Sequence, residues 1–246
     1  MQAVNVLCIK WGKKYGPEYV NRLHNMVRRN LRRPFRFVCL ADDAQGIDPD
    51  IEVKPIPITG FDEFDQRRPW ALDRGWLKLA TLAPRVHDLK GRTLFLDLDI
   101  VIVDALDPFF DQEEEFVVIR EWDKRDGTGN TSCYLYTIGA HADALDHLRL
   151  GYPGSISDVR NEQEFISRYL IRQGRLSYWP SAWCRSFKRH CMRRGLLGWL
   201  SGAEIPEGAR IVVFHGKPNP PDAIIGVSGK WYRRVKPTPW VAELWC

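Results

Sequence analysis

The chain has 246 residues, 44% of them hydrophobic and 27% charged, which excludes a disordered protein and allows one large α/β domain or two small ones. Its net charge of +5 favours anionic partners in general, at a magnitude that selects none among nucleotides, phospholipid headgroups and nucleic acid. No stretch approaches the ~20 apolar residues that a membrane helix needs, and the opening "MQAVNVLCIKWGKK" has too short an apolar run for a signal peptide.

In sequence order, "VNVLCI" (4–9) is an apolar run of strand length. "PEYVNRLHNMVRRNL" (17–31) sets Val20, Leu23, Val27 and Leu31 at helical spacing behind Pro17, which suits the first turn. "FRFVCL" (35–40) reads as a second strand ending at Asp42-Asp43, and the prolines of "IEVKPIPI" (51–58) confine that segment to a sheet edge. "GWLKLATLAP" (75–84) reads as a helix and "RTLFLDLDIVIV" (92–103) as one long buried strand. This alternation predicts a parallel α/β sheet with crossover helices. Beyond residue 110 the pattern loosens: "EFVVIRE", "TSCYLYTI" and "ARIVVFHG" (209–216) read as strands, and "NEQEFISRYLIRQ" (161–173) as a helix. No repeat or linker splits the sequence, so a single domain over 1–246 is expected.

The six cysteines, Cys8, Cys39, Cys133, Cys184, Cys191 and Cys246, form no C-x-x-C pair and suggest neither a zinc site nor a disulfide framework. A reducing, cytoplasmic location is expected. Basic residues gather in "RRNLRR" (28–33) and "CRSFKRHCMRRGLLGWL" (184–200). The second cluster, interleaved with apolar side chains, suits either the solvated face of an amphipathic helix or peripheral contact with an anionic membrane.

Asp97 and Asp99 are the anomaly, two acids between "LFL" and "IVIV" where an uncompensated charge is costly. On a regular strand they share a face; if the strand breaks, both converge on the crevice at the carboxyl end of the sheet, where open α/β sheets bind ligands. Three readings compete. The acids are bonded to backbone N–H groups or bases; or they follow the D-x-D-x-[TV] pattern of haloacid-dehalogenase-type phosphatases, met by Asp97, Asp99 and Val101 with Asp97 as nucleophile; or they hold a hard divalent cation whose other ligands come from substrate phosphates. The phosphatase motif usually opens its domain, whereas three or four elements precede it here. A D-x-D placed midway along the sequence, after a nucleotide-binding α/β half, is the arrangement of the A-type nucleotide-sugar glycosyltransferases. A non-catalytic nucleotide-binding protein stays open.

"GWLKLATLAPRVHDLKGRTLFLDLDIVIVDALDPFF", with the opening "IKWGKKYGPEYVNRLHNMVRRNLRRPFRFVCLADD" and the late "ARIVVFHGKPNP", resembles family 8 glycosyltransferases and their bacterial relatives in block order over most of the sequence. The resemblance implies a mixed, Rossmann-like sheet flanked by helices, with a nucleotide-binding half (1–104) and an acceptor and sugar half (105–246). It implies that Asp97, Asp99 and His215 ligate Mn²⁺ or Mg²⁺, and that Lys217 meets the donor diphosphate. Lys78 takes the place of the family's basic residue before the D-x-D. Asn130 and Ser132 in "GNTSCYLY" correspond to the sugar pocket, and Glu162 and Gln163 in "NEQEF" to the acidic-Gln pair beside the donor sugar, with Glu164 as rival by one position. Lys10, Trp11 and Tyr15 are candidates for the base, and Asp42 or Asp43 for base or ribose. The expected reaction moves a sugar from a nucleotide diphosphate donor, a UDP-sugar, to a glycan or lipid-linked acceptor with retention; nucleic acid is not an expected partner. The compact "HGKPNP" departs from the wider His, Gly and Lys spacing of better-known members, which weakens the role of Lys217.

Overall fold

The computed structural model describes residues 3–59, 74–150, 159–192, 201–229 and 235–246. Four strands open the architecture: β1 (Val4–Lys10), β2 (Phe35–Ala41), β3 (Glu52–Pro55) and β4 (Arg92–Leu96), with helix α1 (Pro17–Asn30) between the first two. β1 pairs in parallel with β2 on one side and β4 on the other, and β3 adds in parallel at the edge, where its proline is tolerated. The second half is not parallel throughout. β7 (Gly129–Thr137) runs antiparallel to β4 and to β6 (Phe116–Arg120), and β8 (Leu176–Tyr178) closes a seven-stranded order β3-β2-β1-β4-β7-β6-β8.

Alternation along β1 explains how both faces are covered. Val6 and Cys8 face one apolar layer with Val20, Leu23 and Met26 of α1, while Leu7 and Ile9 face the other with Leu79, Phe95 and Tyr134. The second layer is completed by α2 (Asp143–Leu150) and α3 (Glu162–Arg172). A second sheet lies against the first layer, ordered β5 (Ile100–Ile102), β10 (Ile211–Val213), β9 (Cys184–Ser186). Helices α4 (Pro220–Ile225) and α5 (Pro239–Leu244) come last, and Arg29 of α1 holds the carbonyls of Leu244 and Cys246 at 2.7 and 2.6 Å. Among the described residues no helix is long and apolar enough to cross a membrane.

Two sequence expectations need correction. The stretch "RTLFLDLDIVIV" is not one strand: β4 ends at Leu96, the backbone bends through Asp97–Asp99, and β5 joins the other sheet. Both apolar halves are buried, but on different sheets, so the acids fall at the change of sheet and not inside a ladder. The helix expected before it is present over Arg74–Leu82, wound as a 3₁₀ helix. There the Thr81 hydroxyl donates to the carbonyl of Lys78 at 2.7 Å, competing with the helical ladder, and Pro84 biases Ala83 away from helical geometry. In "CRSFKRHCMRRGLLGWL" the described part is strand β9 followed by a π-type turn at Phe187–Cys191, not an amphipathic helix; residues 193–200 lie outside the described residues. Arg185 donates to the carbonyl of Ser181, Arg189 pairs with Asp123, and Lys188 donates to the carbonyl of His215, so these bases brace the fold.

At the outer edge, Arg36 of β2 grips Glu52 of β3 with two bonds of 2.6 and 2.5 Å. That grip, joined by Lys54, holds the Glu52 carboxyl down at about 2. Because the folded value is depressed, the stabilisation is complete above the ordinary glutamate range near 4.5 and is lost as pH falls towards 2. Glu52→Gln is expected to lower stability at pH 7 by about 1 kcal/mol, since the pair is partly solvent-screened. Urea midpoints for variant and wild type should converge between about pH 4 and pH 2; a constant gap would show that the ion pair is not its source.

Candidate active site

A cleft of ≈480 Å³ opens at the carboxyl ends of β1 and β4. Four segments line it: Trp11–Tyr15 after β1, Gly75 and Lys78 of the 3₁₀ helix, the Asp97–Asp99 bend, and Asn161–Gln163 at the start of α3. This is the crevice that the topology of an open α/β sheet provides for ligands.

The bend is fixed by its backbone. The N–H of Asp97 donates to the carbonyl of Ser132 in β7, and the carbonyl of Asp99 accepts from the N–H of Phe214 just past β10, both at 2.9 Å. Both carboxylates therefore belong to one cleft. Lys78 Nζ lies 2.8 Å from each oxygen of Asp97 and 3.9 Å from Glu162. The Tyr15 hydroxyl donates to Asp99 Oδ2 at 2.6 Å. Burial alone would lower the Lys78 ammonium, but Asp97 and Glu162 outweigh it and raise its pKa above the ordinary lysine value. Burial, then the charge of Asp97, pushes Asp99 up to about 6, against the opposing pull of Tyr15, Lys78 and Lys14. Burial also raises Glu162, with Lys78 opposing and Asp97 reinforcing. The cleft is thus a buried acidic centre that one lysine only partly neutralises.

β7 contributes through an irregularity. Ile119 of β6 pairs with Asn130, but its neighbour Val118 pairs with Tyr134, so Thr131–Cys133 bulge away from β6. The bulge presents the Thr131 hydroxyl to Glu162 at 3.2 Å and its carbonyl to Lys78 at 3.4 Å. Gly75 also has a definite reason: a Cβ there would stand 2.7 Å from Glu162 Oε2.

The sequence candidates divide into those in the cleft and those beside it. Trp11, Tyr15, Lys78, Asp97, Asp99, Glu162 and Gln163 all line it. Lys10 and Asp42 brace the loop from behind: Asp42 accepts from the N–H of Gly12 at 2.7 Å and stands 4.0 Å from Lys10. Asn130 accepts from the N–H of Ser132 within β7 at 3.0 Å and donates to Glu121, just past β6, at 3.1 Å. Glu164 is turned to Lys124 and to the N–H of Arg160, away from the cleft, while Glu162 faces it.

His215 and Lys217 are not among the cleft-lining residues. His215 Nε2 meets the Ser186 hydroxyl at 2.7 Å and its ring stacks on Trp122 at 5.5 Å. Lys217 is exposed, its stem packed so closely on Gly229 that a Cβ there would meet its Cδ at 2.5 Å. Among the described residues no group of three or more His, Cys, Asp or Glu is gathered as a metal site. The two carboxylates nonetheless fit a hard divalent cation: they are oxygen donors, they share a cleft, and their mutual repulsion is what a cation relieves. Two protein carboxylates suffice where a substrate's phosphates complete the shell.

Sequence reasoning passed over Lys13, Lys14 and Asn161. The two lysines lie in the quoted "CIKWGKKYG" without a spacing rule to single them out. Asn161 caps α3 by accepting from the N–H of Glu164, which leaves its place in the cleft masked by ordinary capping chemistry.

No family model and no curated protein matches this sequence. Solved structures do resemble the fold. The galactosyltransferase LgtC in complex with donor and acceptor sugar analogs superposes with a TM-score of 0.56 at 12% identity over 88% of both chains. An active-site mutant of LgtC, a glutamine replaced by glutamate, gives 0.57 at 13% identity over 88% of this chain and 89% of that one. The bifunctional glycosyltransferase WbbM gives 0.60 at 10% identity over 89% of this chain and 46% of the other. The protein has the A-type fold of these glycosyltransferases.

Proposed function

We propose that the protein is a glycosyltransferase that takes a sugar from a nucleoside diphosphate donor, a UDP-sugar, and passes it to a hydroxyl of a glycan or lipid-linked acceptor. The observation that carries this reading is the break between β4 and β5, which delivers Asp97 and Asp99 together to the cleft.

Asp97 and Asp99 would hold Mn²⁺ or Mg²⁺, with the donor diphosphate supplying further oxygen ligands. When bound, the cation neutralises charge developing on the leaving diphosphate. His215, beside the bend through the Phe214–Asp99 bond, is proposed as a third ligand that must leave Ser186 to reach it. Lys78 orients Asp97 through its ammonium, and the Tyr15 hydroxyl does the same for Asp99. The rings of Trp11 and Tyr15 offer stacking surfaces for the base, with Lys10 and Asp42 supporting the loop. Gln163 and Glu162, which line the same cleft, are assigned to the donor sugar. Asn130 and Ser132, beside the cleft in β7, are assigned a supporting role on the sugar side. LgtC has an active-site glutamine, and Gln163 is the glutamine of this cleft.

In the reaction the bond between the anomeric carbon and the diphosphate oxygen breaks, and the acceptor oxygen bonds to that carbon. The acceptor proton passes to the departing phosphate. Departure and attack on one face, guided by Gln163, give retention without a protein nucleophile.

The test is to incubate the protein with UDP-, GDP-, ADP- and CDP-sugars, with Mn²⁺ or with EDTA, and to measure nucleoside diphosphate release. Metal-dependent release from a sugar nucleotide is expected. Phosphate release from phosphomonoesters with no sugar-nucleotide turnover would favour the phosphatase reading instead.

A further inference from the structure

The cleft holds three carboxylates, Asp97, Asp99 and Glu162, and three lysines, Lys13, Lys14 and Lys78. The three lysines are not equivalent. Lys78 is buried and committed to Asp97 and Glu162. Lys13 and Lys14 are exposed in the loop after β1 and form no ion pair among the described residues. Lys14 is the better placed of the two. Its Nζ lies 4.7 Å from the centroid of the Tyr15 ring, and the hydroxyl of that ring is bonded to Asp99. Lys14, Tyr15 and Asp99 thus form a contiguous wall.

The obvious rivals for an anion in this cleft are weaker. Lys217 is outside the cleft lining, and its stem is packed on Gly229. The N-terminus of α1 starts beside the loop, but the Glu18 carboxylate folds over Gly16 and supplies the negative charge the helix end attracts. With the cleft's own charges in balance, one divalent cation leaves an excess of two positive charges, which matches the two negative charges of a nucleoside diphosphate sugar. An exposed ammonium next to the cation clamp is then the group able to meet charge on the leaving diphosphate.

We propose that Lys14, not Lys217, is the lysine that contacts the diphosphate of the donor. This rests on the sugar-nucleotide reading of the cleft. Lys14 folds from the Tyr15 ring onto the diphosphate while Tyr15 turns its face to the base. No bond is made or broken by Lys14; it supplies a hydrogen bond and a charge.

The experiment is calorimetric titration in Mn²⁺ of the full-length protein and of Lys14→Gln, Lys14→Arg, Lys13→Gln and Lys217→Met. The probe is whichever of UDP, GDP, ADP and CDP binds wild type best, together with its nucleoside. Lys14→Gln is expected to weaken the diphosphate at least tenfold and the nucleoside less than twofold, with Lys14→Arg recovering most of the loss. Circular dichroism on each variant separates misfolding from lost contact. A larger loss in Lys217→Met than in Lys14→Gln overturns the assignment. An equal loss in Lys13→Gln also overturns it, because the effect is then net charge and not contact. If wild type binds diphosphates and Lys14→Gln binds them equally, this inference fails alone. If wild type binds none at any metal concentration, the sugar-nucleotide reading fails and takes the inference with it.

Discussion

Asp99→Asn is expected to remove metal-dependent sugar transfer, by a factor of about 10³ or more, while making the metal-free protein harder to melt. The two effects have one cause. Asp99 is buried, and burial together with the charge of Asp97 raises its carboxyl to about 6. An acid whose folded value is raised destabilises the fold once it ionises. The penalty is absent below about pH 4, grows through pH 6 and stays constant above it. Asparagine keeps an oxygen for the Tyr15 hydroxyl and removes the charge. At pH 7.5 it should therefore gain on the order of 2 kcal/mol, a rise of several degrees in melting temperature. The advantage should vanish near pH 4, and saturating Mn²⁺ with diphosphate should reverse it. Calorimetric melting at pH 4, 6 and 7.5 checks each part. A variant less stable than wild type at pH 7.5 without metal would mean that Asp99 is already compensated within the protein, as a structural acid pair would be.

The largest loss of stability is expected at Lys78. Its ammonium bridges both oxygens of Asp97 and reaches Glu162, and all three groups are largely withdrawn from water. Lys78→Met leaves two carboxylates facing each other with no cation, which costs about 3–5 kcal/mol. For a protein of this size that corresponds to a fall of roughly 10 °C in melting temperature. Lys78→Arg keeps the charge and should lose less. Mn²⁺ should restore part of the loss in Lys78→Met, since a divalent ion at Asp97 replaces the missing charge. A melting temperature within about 2 °C of wild type would show that the cluster is solvated and that Lys78 does not hold it.

How much of this could be read in advance depended on whether a signal was local. Strands β1 and β2 and helix α1 match their periodic runs nearly to the residue, because one face of each is buried in a continuous layer. The edge position of β3 followed from its prolines. By contrast, "LFLDLDIVIV" is uniformly apolar around the acids, so nothing in its periodicity tells a single strand from two strands on two sheets. The break is dictated by distant partners, Ser132 on one side and Phe214 on the other. The 3₁₀ winding of Arg74–Leu82 likewise depends on Thr81, whose hydroxyl also meets Tyr134 at 2.7 Å. In the cleft, Asp97 and Asp99 were legible because charges stand out against apolar neighbours, whereas Lys78 and Glu162 were reached only through resemblance. Lys13 and Lys14 were not legible, because exposed lysines in a turn look like any solvated loop. The expectation for His215 rested on resemblance, and in this structure its imidazole is bonded to Ser186.

The central claim is that Asp97 and Asp99 act as one cation clamp facing a diphosphate. Anomalous diffraction at the manganese edge, from crystals grown with Mn²⁺ and UDP, tests it most directly. One strong peak is expected about 2.1 Å from a carboxylate oxygen of each of Asp97 and Asp99, and at the same distance from oxygens of both phosphates. A diphosphate seated in the cleft with manganese absent from that position, or bound at other residues, would contradict it.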